Sequence, residues 1–214
     1  TNIVYVYSEK IEIIAQNKFL EIKNIKKTEV FIYETERIQN IPEKRPVVAG
    51  SGPAGIFAAL ILAESGLRPI VLERGKNVDE RKKDVYDFFK TGVLNTESNV
   101  QFGEGGAGTF SDGKLTTGTH NVRIKKVITE FIEAGGGEEL AYMSKPHVGT
   151  DRLIGILRNM RKKIESLGGE YRFQNKLTSI KHSDGKLQSI KVSGPEGEYS
   201  IETDYLILAV GHSA

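Results

Sequence analysis

Short apolar runs alternate with helix-length apolar stretches along most of this 214-residue chain, and from Pro46 onward the alternation is regular. Val47-Val48-Ala49 is a short run that reads as a buried strand. Ile56–Ala63 is continuously apolar and long enough for a helix, which Ser65-Gly66 ends. Pro69-Ile70-Val71-Leu72 predicts a second strand. Together these form a β-turn-α-β unit of about 28 residues, the size of a parallel crossover. Asn77–Phe89 predicts a charged helix capped by Asn77. Ile124, Val127, Ile128, Phe131 and Ile132 recur at helical spacing until Gly135-Gly136-Gly137 stops them. Leu153, Leu157, Met160, Ile164 and Leu167 form another stripe before Gly168-Gly169. Strands follow at Tyr171–Phe173, Leu177–Lys181, Leu187–Val192 and Tyr199–Glu202, with turns at Ser183-Asp184-Gly185 and Gly194–Gly197. Tyr205–Val210 reads as a closing buried strand. The fold class expected is α/β, a parallel Rossmann-like sheet with a small antiparallel strand set.

Residues 1–44 follow a different pattern. Ile3–Tyr7 and Val30–Tyr33 predict strands, and Glu9–Lys27 is rich in Ile, Lys and Glu without a clean period. Ile41–Pro46 carries two prolines and three charges, a linker composition. The expected division is residues 1–44 as the C-terminal fragment of an upstream α+β domain plus linker, and residues 45–214 as the Rossmann-like domain. The chain lacks an initiator Met and stops just after its last strand pattern, so it is expected to be a piece of a longer protein.

Composition narrows the chemistry. Thirty basic and 28 acidic residues leave a net charge of +2, which removes the electrostatic case for a nucleic-acid binder. Lys82-Lys83, Lys125-Lys126 and Arg161-Lys162-Lys163 are isolated and read as solvated helix faces. No stretch of about 18 uncharged apolar residues exists, so no membrane span is expected. Cysteine is absent, which excludes disulfides, thiol nucleophiles and a dithiol relay, and fits a cytoplasmic location. His120, His147, His182 and His212 show no metal-ligand spacing, so no metal is expected. His182 is expected exposed beside a turn, and His147 to order a loop before a helix. No Ser-His-Asp or paired-carboxylate constellation can be read, and catalytic residues stay unassigned.

Glycine is the informative excess, with 23 residues concentrated in two clusters. Gly50-Ser51-Gly52-Pro53-Ala54-Gly55 fits G-x-G-x-x-G, a weak signal alone. Here it follows an apolar strand and opens an apolar helix. Gly50 permits the tight turn, Gly52 lets backbone approach a pyrophosphate, and Gly55 lets helix and strand pack closely. Pro53 sits where a missing N–H costs nothing, and the helix amides and macrodipole face the anion. Glu73, 23 residues after Gly50, ends the second strand, where a carboxylate accepts hydrogen bonds from ribose hydroxyls.

Gly50–Gly75, with Glu73-Arg74-Gly75, resembles the ADP-binding half of FAD-dependent oxidoreductases of the glutathione-reductase type. Asn99–Leu115, containing Gly105-Gly106-Ala107-Gly108-Thr109-Phe110-Ser111, is similar to a second flavin-contacting loop. With Lys145–Asp151 it resembles bacterial FAD-dependent oxidoreductases labelled NAD(FAD)-utilising dehydrogenases, over about residues 46–214. The resemblance implies that Gly105, Gly106 and Gly108 approach the cofactor by backbone and that Thr109, Phe110 and Ser111 lie nearer the isoalloxazine. It places Lys176 and Leu177 beside the adenine. Tyr205–Gly211 resembles a flavoprotein strand that ends in Ala-x-Gly, here Ala209 and Gly211. It implies an FAD-dependent oxidoreductase acting on an unknown small-molecule substrate, with NAD(P)H as a candidate electron donor. The family's later Gly-Asp segment is absent, so this piece alone is expected to be inactive. An NAD-dependent dehydrogenase and a non-catalytic flavin-binding module are the alternatives.

Overall fold

The computed structural model describes residues 32–111, 113–115, 119, 121–143 and 146–211. The predicted strand Ile3–Tyr7 and the start of Val30–Tyr33 lie outside them, as do His120 and His212. Ile32 and Tyr33 are irregular rather than extended in a sheet.

Two sheets and a helical layer stack into three layers. The strands β1 (Val47–Ala49), β2 (Ile70–Glu73), β3 (Glu170–Phe173) and β7 (Leu206–Leu208) form a parallel sheet in the order β3-β2-β1-β7. Val47, Val48 and Ala49 pair with Ile70, Val71 and Leu72 on one side and with Leu206, Ile207 and Leu208 on the other. The strands β4 (Lys176–Ser183), β5 (Lys186–Gly194) and β6 (Gly197–Glu202) form a separate antiparallel sheet. Its first hairpin turns at Asp184 and Gly185, both at positive φ, the twist that suits a tight hairpin. His182 stands exposed beside that turn, as expected.

Because successive side chains point to opposite faces and both faces are covered, β1 and the Ile70–Leu72 part of β2 are apolar at every position. Val48 and Val71 join the core formed with helices α1 (Pro53–Glu64) and α4 (Thr150–Ser166), through Ile56, Leu60, Ile156 and Met160. Val47, Ile70 and Leu72 face the opposite way and pack with Ile190 and Val192 of the antiparallel sheet. Helix α2 (Val78–Thr91) starts at the predicted cap: Asn77 Oδ1 accepts from the amides of Asp79 and Glu80, both at 3.1 Å. Helix α3 (Ile124–Phe131) runs on into a wider π turn, Ile132–Gly136, which the predicted glycines close. Among the described residues no helix is long and apolar enough to cross a membrane.

Two expectations are corrected. The last strand is not buried: Leu208 is 58% and Val210 40% exposed, because among the described residues β7 is an edge strand paired only with β1. The basic residues of α3 and α4 are not simply solvated. Lys126 Nζ lies 2.8 Å from Glu64 and 2.7 Å from Glu130, and Lys163 Nζ lies 2.7 Å from Glu130 and 2.9 Å from Glu133. Sequence spacing shows only the i,i+4 pair of Lys126 and Glu130, whereas α1 brings Glu64 from elsewhere in the chain. Thr35 donates to Glu64 at 2.7 Å and so ties the upstream segment to the same cluster.

This cluster predicts an acid response. Burial pushes the Glu64 carboxyl up, but hydrogen bonds from Lys126 and Thr35 outweigh it and hold the group below the ordinary 4.5. A carboxyl whose folded pKa is depressed contributes stability above its unfolded value and loses it as the pH falls through the folded one. The urea midpoint should therefore drop as the pH is lowered below 4.5, and Glu64→Gln should flatten that drop. Equal acid sensitivity in wild type and variant would assign the effect to other carboxyls.

Candidate functional site

The chain leaves β1 through the first glycine cluster at the carboxyl end of the parallel sheet. Gly50 donates its N–H to the Leu72 carbonyl at 2.7 Å and takes φ +101°. A Cβ there would overlap the Ala209 carbonyl, and a Cβ on Gly55 would overlap the carbonyl of Gly50. Both positions accept glycine alone without backbone movement. Gly52 caps α1 in extended backbone with no side-chain cap, Pro53 follows, and no acidic residue occupies the first turn. The first bond closing the helix runs from Ile56 N–H to the Gly52 carbonyl at 2.9 Å. The amides ahead of it, with Ala54 exposed, form a positive helix end.

Glu73 sits at the predicted strand end but is not open to a cleft. It is 4% exposed. Its Oε2 accepts from Ser51 N–H and Ser51 Oγ, both at 2.9 Å, and its Oε1 accepts from Gly75 N–H at 2.9 Å. The carboxylate therefore builds the glycine turn as well as bordering it. Arg74 is held by Glu97 at 2.8 Å and lies 3.9 Å above the Phe102 ring.

The second glycine cluster folds over the first. Gly105 donates its N–H to the Ser51 carbonyl at 2.8 Å, and Gly106 lies against Gly52 and Pro53. A short 3-10 turn covers Ala107–Phe110. Gly108 is exposed, with open space where a side chain would go. Thr109 is 1% exposed and turned inward, its hydroxyl within 3.5 Å of the Glu104 carbonyl. Phe110 packs against the helical core, Ser111 Oγ donates to the Gly108 carbonyl at 2.8 Å, and the Ser111 carbonyl accepts from Thr150 Oγ1 at 3.1 Å. Of the Lys145–Asp151 motif, the described residues 146–151 lie beside this loop. Lys114 and His147 form an isolated antiparallel bridge, Leu115 N–H reaches the Pro146 carbonyl at 3.0 Å, and Val148 N–H reaches Gly113 at 3.0 Å.

The other predicted positions divide. Ala209 donates to the Ala49 carbonyl at 2.8 Å and closes beside Gly50. Gly211 is exposed. Lys176 opens β4 with its Nζ 3.7 Å from Glu97, near Arg74. Leu177 instead packs under the sheet with the second core cluster. Between α1, the second loop, α3 and α4 lies an apolar cleft of about 230 Å³, lined by Pro53, Phe57, Leu115, Phe131, Leu157 and Met160.

Sequence reasoning missed the groups that hold the second loop. Arg81 is fully buried beneath it and donates to the carbonyls of Asn99, Val100, Gly103, Glu104 and Gly106. Glu104, 1% exposed, accepts from Val78 N–H at 2.7 Å and from Arg161 at 2.8 Å. Burial holds the Glu104 carboxyl above the ordinary range against the pull of Arg161. The available signal was the register of α2, where Arg81 stands with Val78 and Val85 on the buried side.

The residues present fit a dinucleotide pyrophosphate. The missing side chain of Gly52, where a Cβ would come only into ordinary contact with Gly106 Cα at 3.8 Å, the uncapped amides of α1 and the carboxylate behind Ser51 supply close approach, donors and a hydroxyl acceptor.

Comparison with known proteins places this geometry among others. The family model described as FAD binding domain matches residues 45–214. An uncharacterized protein of Clostridium beijerinckii is 51% identical over 198 residues, which cover 92% of this chain and 36% of that protein. The chain thus spans about a third of the length of the curated relative it matches. Among solved structures, THI4 of Thermovibrio ammonificans is similar at 14% identity and TM-score 0.49, over 79% of this chain and 58% of that one. The OxyS anhydrotetracycline hydroxylase from Streptomyces rimosus is similar at 22% identity and TM-score 0.42, over 78% of this chain and 31% of that one.

Proposed function

The chain belongs to the FAD binding domain family, its cofactor is FAD, and from that premise we propose that it serves a flavin-dependent oxidoreductase whose two glycine loops grip the cofactor. The observation that carries the reading is the hydrogen bond from Gly105 N–H to the Ser51 carbonyl at 2.8 Å. It fixes the second loop edge to edge with the first, over the amino end of α1.

In this reading Gly50, Ser51, Gly52, Pro53, Ala54 and Gly55 hold the pyrophosphate by backbone, and Glu73 accepts from the adenosine ribose. Gly105, Gly106 and Gly108 line the cofactor's path, while Arg74 and Lys176 bound the adenine end, with Ala209 and Gly211 on the far side. When bound, the flavin supplies hydride chemistry; the protein supplies position and electrostatics. The narrower assignment to the NAD(FAD)-utilising dehydrogenases, with NAD(P)H as electron donor, rests on the pairing of Gly113–Leu115 with Pro146–Val148, which sets two of the motifs side by side. The apolar cleft beside the second loop suits the uncharged part of a small substrate.

The test is the visible absorption spectrum of the purified protein, followed by anaerobic addition of NADH or NADPH. Flavin bands that bleach on addition are expected. Protein that releases NAD and carries no flavin would overturn the reading. Gly108→Ala adds a local check: with open space at that position, stability should stay within about 0.5 kcal/mol of wild type. A fall in FAD affinity without a change in melting then marks Gly108 as facing the cofactor, and unchanged affinity places the cofactor elsewhere.

A further inference from the structure

We propose that Arg81 is a positioning residue that supplies the fixed countercharge for the cofactor's pyrophosphate, acting through the backbone of the second glycine loop rather than by contact. The inference rests on the FAD reading above.

Arg81 carries a buried charge with no ion-pair partner among the described residues. Arg81 is 0% exposed. Its Nε donates to the Asn99 carbonyl at 2.9 Å. Its Nη1 donates to Glu104 at 2.6 Å, with Gly103 at 3.3 Å and Thr109 Oγ1 at 3.4 Å. Its Nη2 donates to Val100 and Gly106, both at 2.9 Å. All of these acceptors are neutral carbonyls or a hydroxyl. Among the described residues no carboxylate oxygen lies within 4.0 Å of the guanidinium. Of the two nearby acids, Glu104 pairs with Arg161, and Glu73, bonded to the neutral donors of Ser51 and Gly75, acts on Arg81 from beyond ion-pair contact. A buried charge without a paired opposite charge is costly, and such groups are ordinarily compensated. Burial draws the Arg81 pKa down to about 10, with Glu73 and Glu104 acting against the fall, so it remains a cation at neutral pH.

The location of this unpaired cation points to its partner. Gly106, whose carbonyl it binds, lies against Gly52 and Pro53 at the amino end of α1. The positive charge therefore stands one layer of backbone behind the anion site. The same hydrogen bonds hold five carbonyl oxygens of the second loop against the guanidinium. Close wrapping is part of the device, since a Cβ on Gly103 would overlap the Arg81 side chain. Attraction between charges is screened far less in such a dry site than in water.

The expected result separates charge from mere support. ADP carries the pyrophosphate and adenosine does not, so their affinities are measured by calorimetry on the 214-residue chain as wild type, Arg81→Gln and Arg81→Lys. Arg81→Gln should weaken ADP about 10- to 100-fold, the scale of a charge-assisted contact, and leave adenosine within a few-fold of wild type. Arg81→Lys, which keeps the charge, should keep most of the ADP preference. Equal losses of ADP and adenosine, or an unchanged ADP preference in Arg81→Gln, overturn the proposal while leaving the FAD reading intact. Should circular dichroism show Arg81→Gln unfolded, Arg81→Lys decides: a retained ADP preference supports the countercharge and a lost one overturns it. A wild-type chain that binds neither ligand overturns the FAD reading, and the proposal with it.

Discussion

Glu73→Ala is expected to weaken both ligand binding and the fold. A carboxylate offers about four acceptor positions, and three are filled by Ser51 N–H, Ser51 Oγ and Gly75 N–H. One remains for a ribose hydroxyl. A single charge-assisted hydrogen bond contributes about 1.5–3 kcal/mol, so Kd for FAD, or for ADP as its smaller half, should rise about 10- to 150-fold. Removing the carboxylate also strands three donors, two of them the backbone amides that shape the glycine turn. An unsatisfied buried donor costs about 1–3 kcal/mol, which for a chain of this size lowers the melting temperature by at least about 2–4 °C. The buried, bonded state of Glu73 thus makes this strand-end carboxylate part of the fold as well as of the site. Ser51→Ala is the discriminating partner: it removes one donor, frees one acceptor position and should leave ADP affinity within a few-fold of wild type. The measurements are ligand titration and thermal melting for each variant. An Glu73→Ala protein with wild-type affinity and reduced melting would show that the ribose is held elsewhere.

Gly55→Ala should be more damaging than its size suggests. The added methyl would overlap the Gly50 carbonyl, and both atoms belong to rigid backbone, one at the end of β1 and the other in the first turn of α1. Helix and strand must separate to admit it. Overpacking of this kind costs about 1–3 kcal/mol and sometimes more. Separation also displaces Gly50, whose N–H bond to Leu72 and close approach to Ala209 set the turn. Stability and FAD binding should therefore fall together, in contrast to Gly108→Ala. A Gly55→Ala chain with wild-type melting and affinity would mean that α1 shifts freely over the sheet, against the tight core of Val48, Ile56, Ala59 and Leu60.

The comparison of these glycines with Glu73 and Arg81 shows where sequence reading succeeds. The turn at Gly50–Gly55, the Asn77 cap, the Asp184-Gly185 hairpin and the helix stops at Gly135–Gly137 are local devices. Their residue types are required by backbone geometry within a few positions, so they are legible without knowledge of the rest of the chain. The both-face burial of β1 and β2 is legible for a related reason: a short strand with no polar position can lie only in the middle of a layered fold.

What the amino-acid sequence alone determined, then, was the kind of fold and the place of the first glycine turn, because periodicity and glycine spacing act over one or two turns of chain. Tertiary structure decided the partners. It set Glu73 inward on Ser51, gave Lys126 its second carboxylate from Glu64, left β7 at the sheet edge, and closed the second loop around Arg81. The side-chain contacts among these join groups 18 to 62 residues apart, and the β1–β7 pairing joins Val47 to Leu206, all brought together only when the chain folds into its layers. An arginine in the apolar register of α2 looks like any other charge in a charged helix until the loop that buries it is in place.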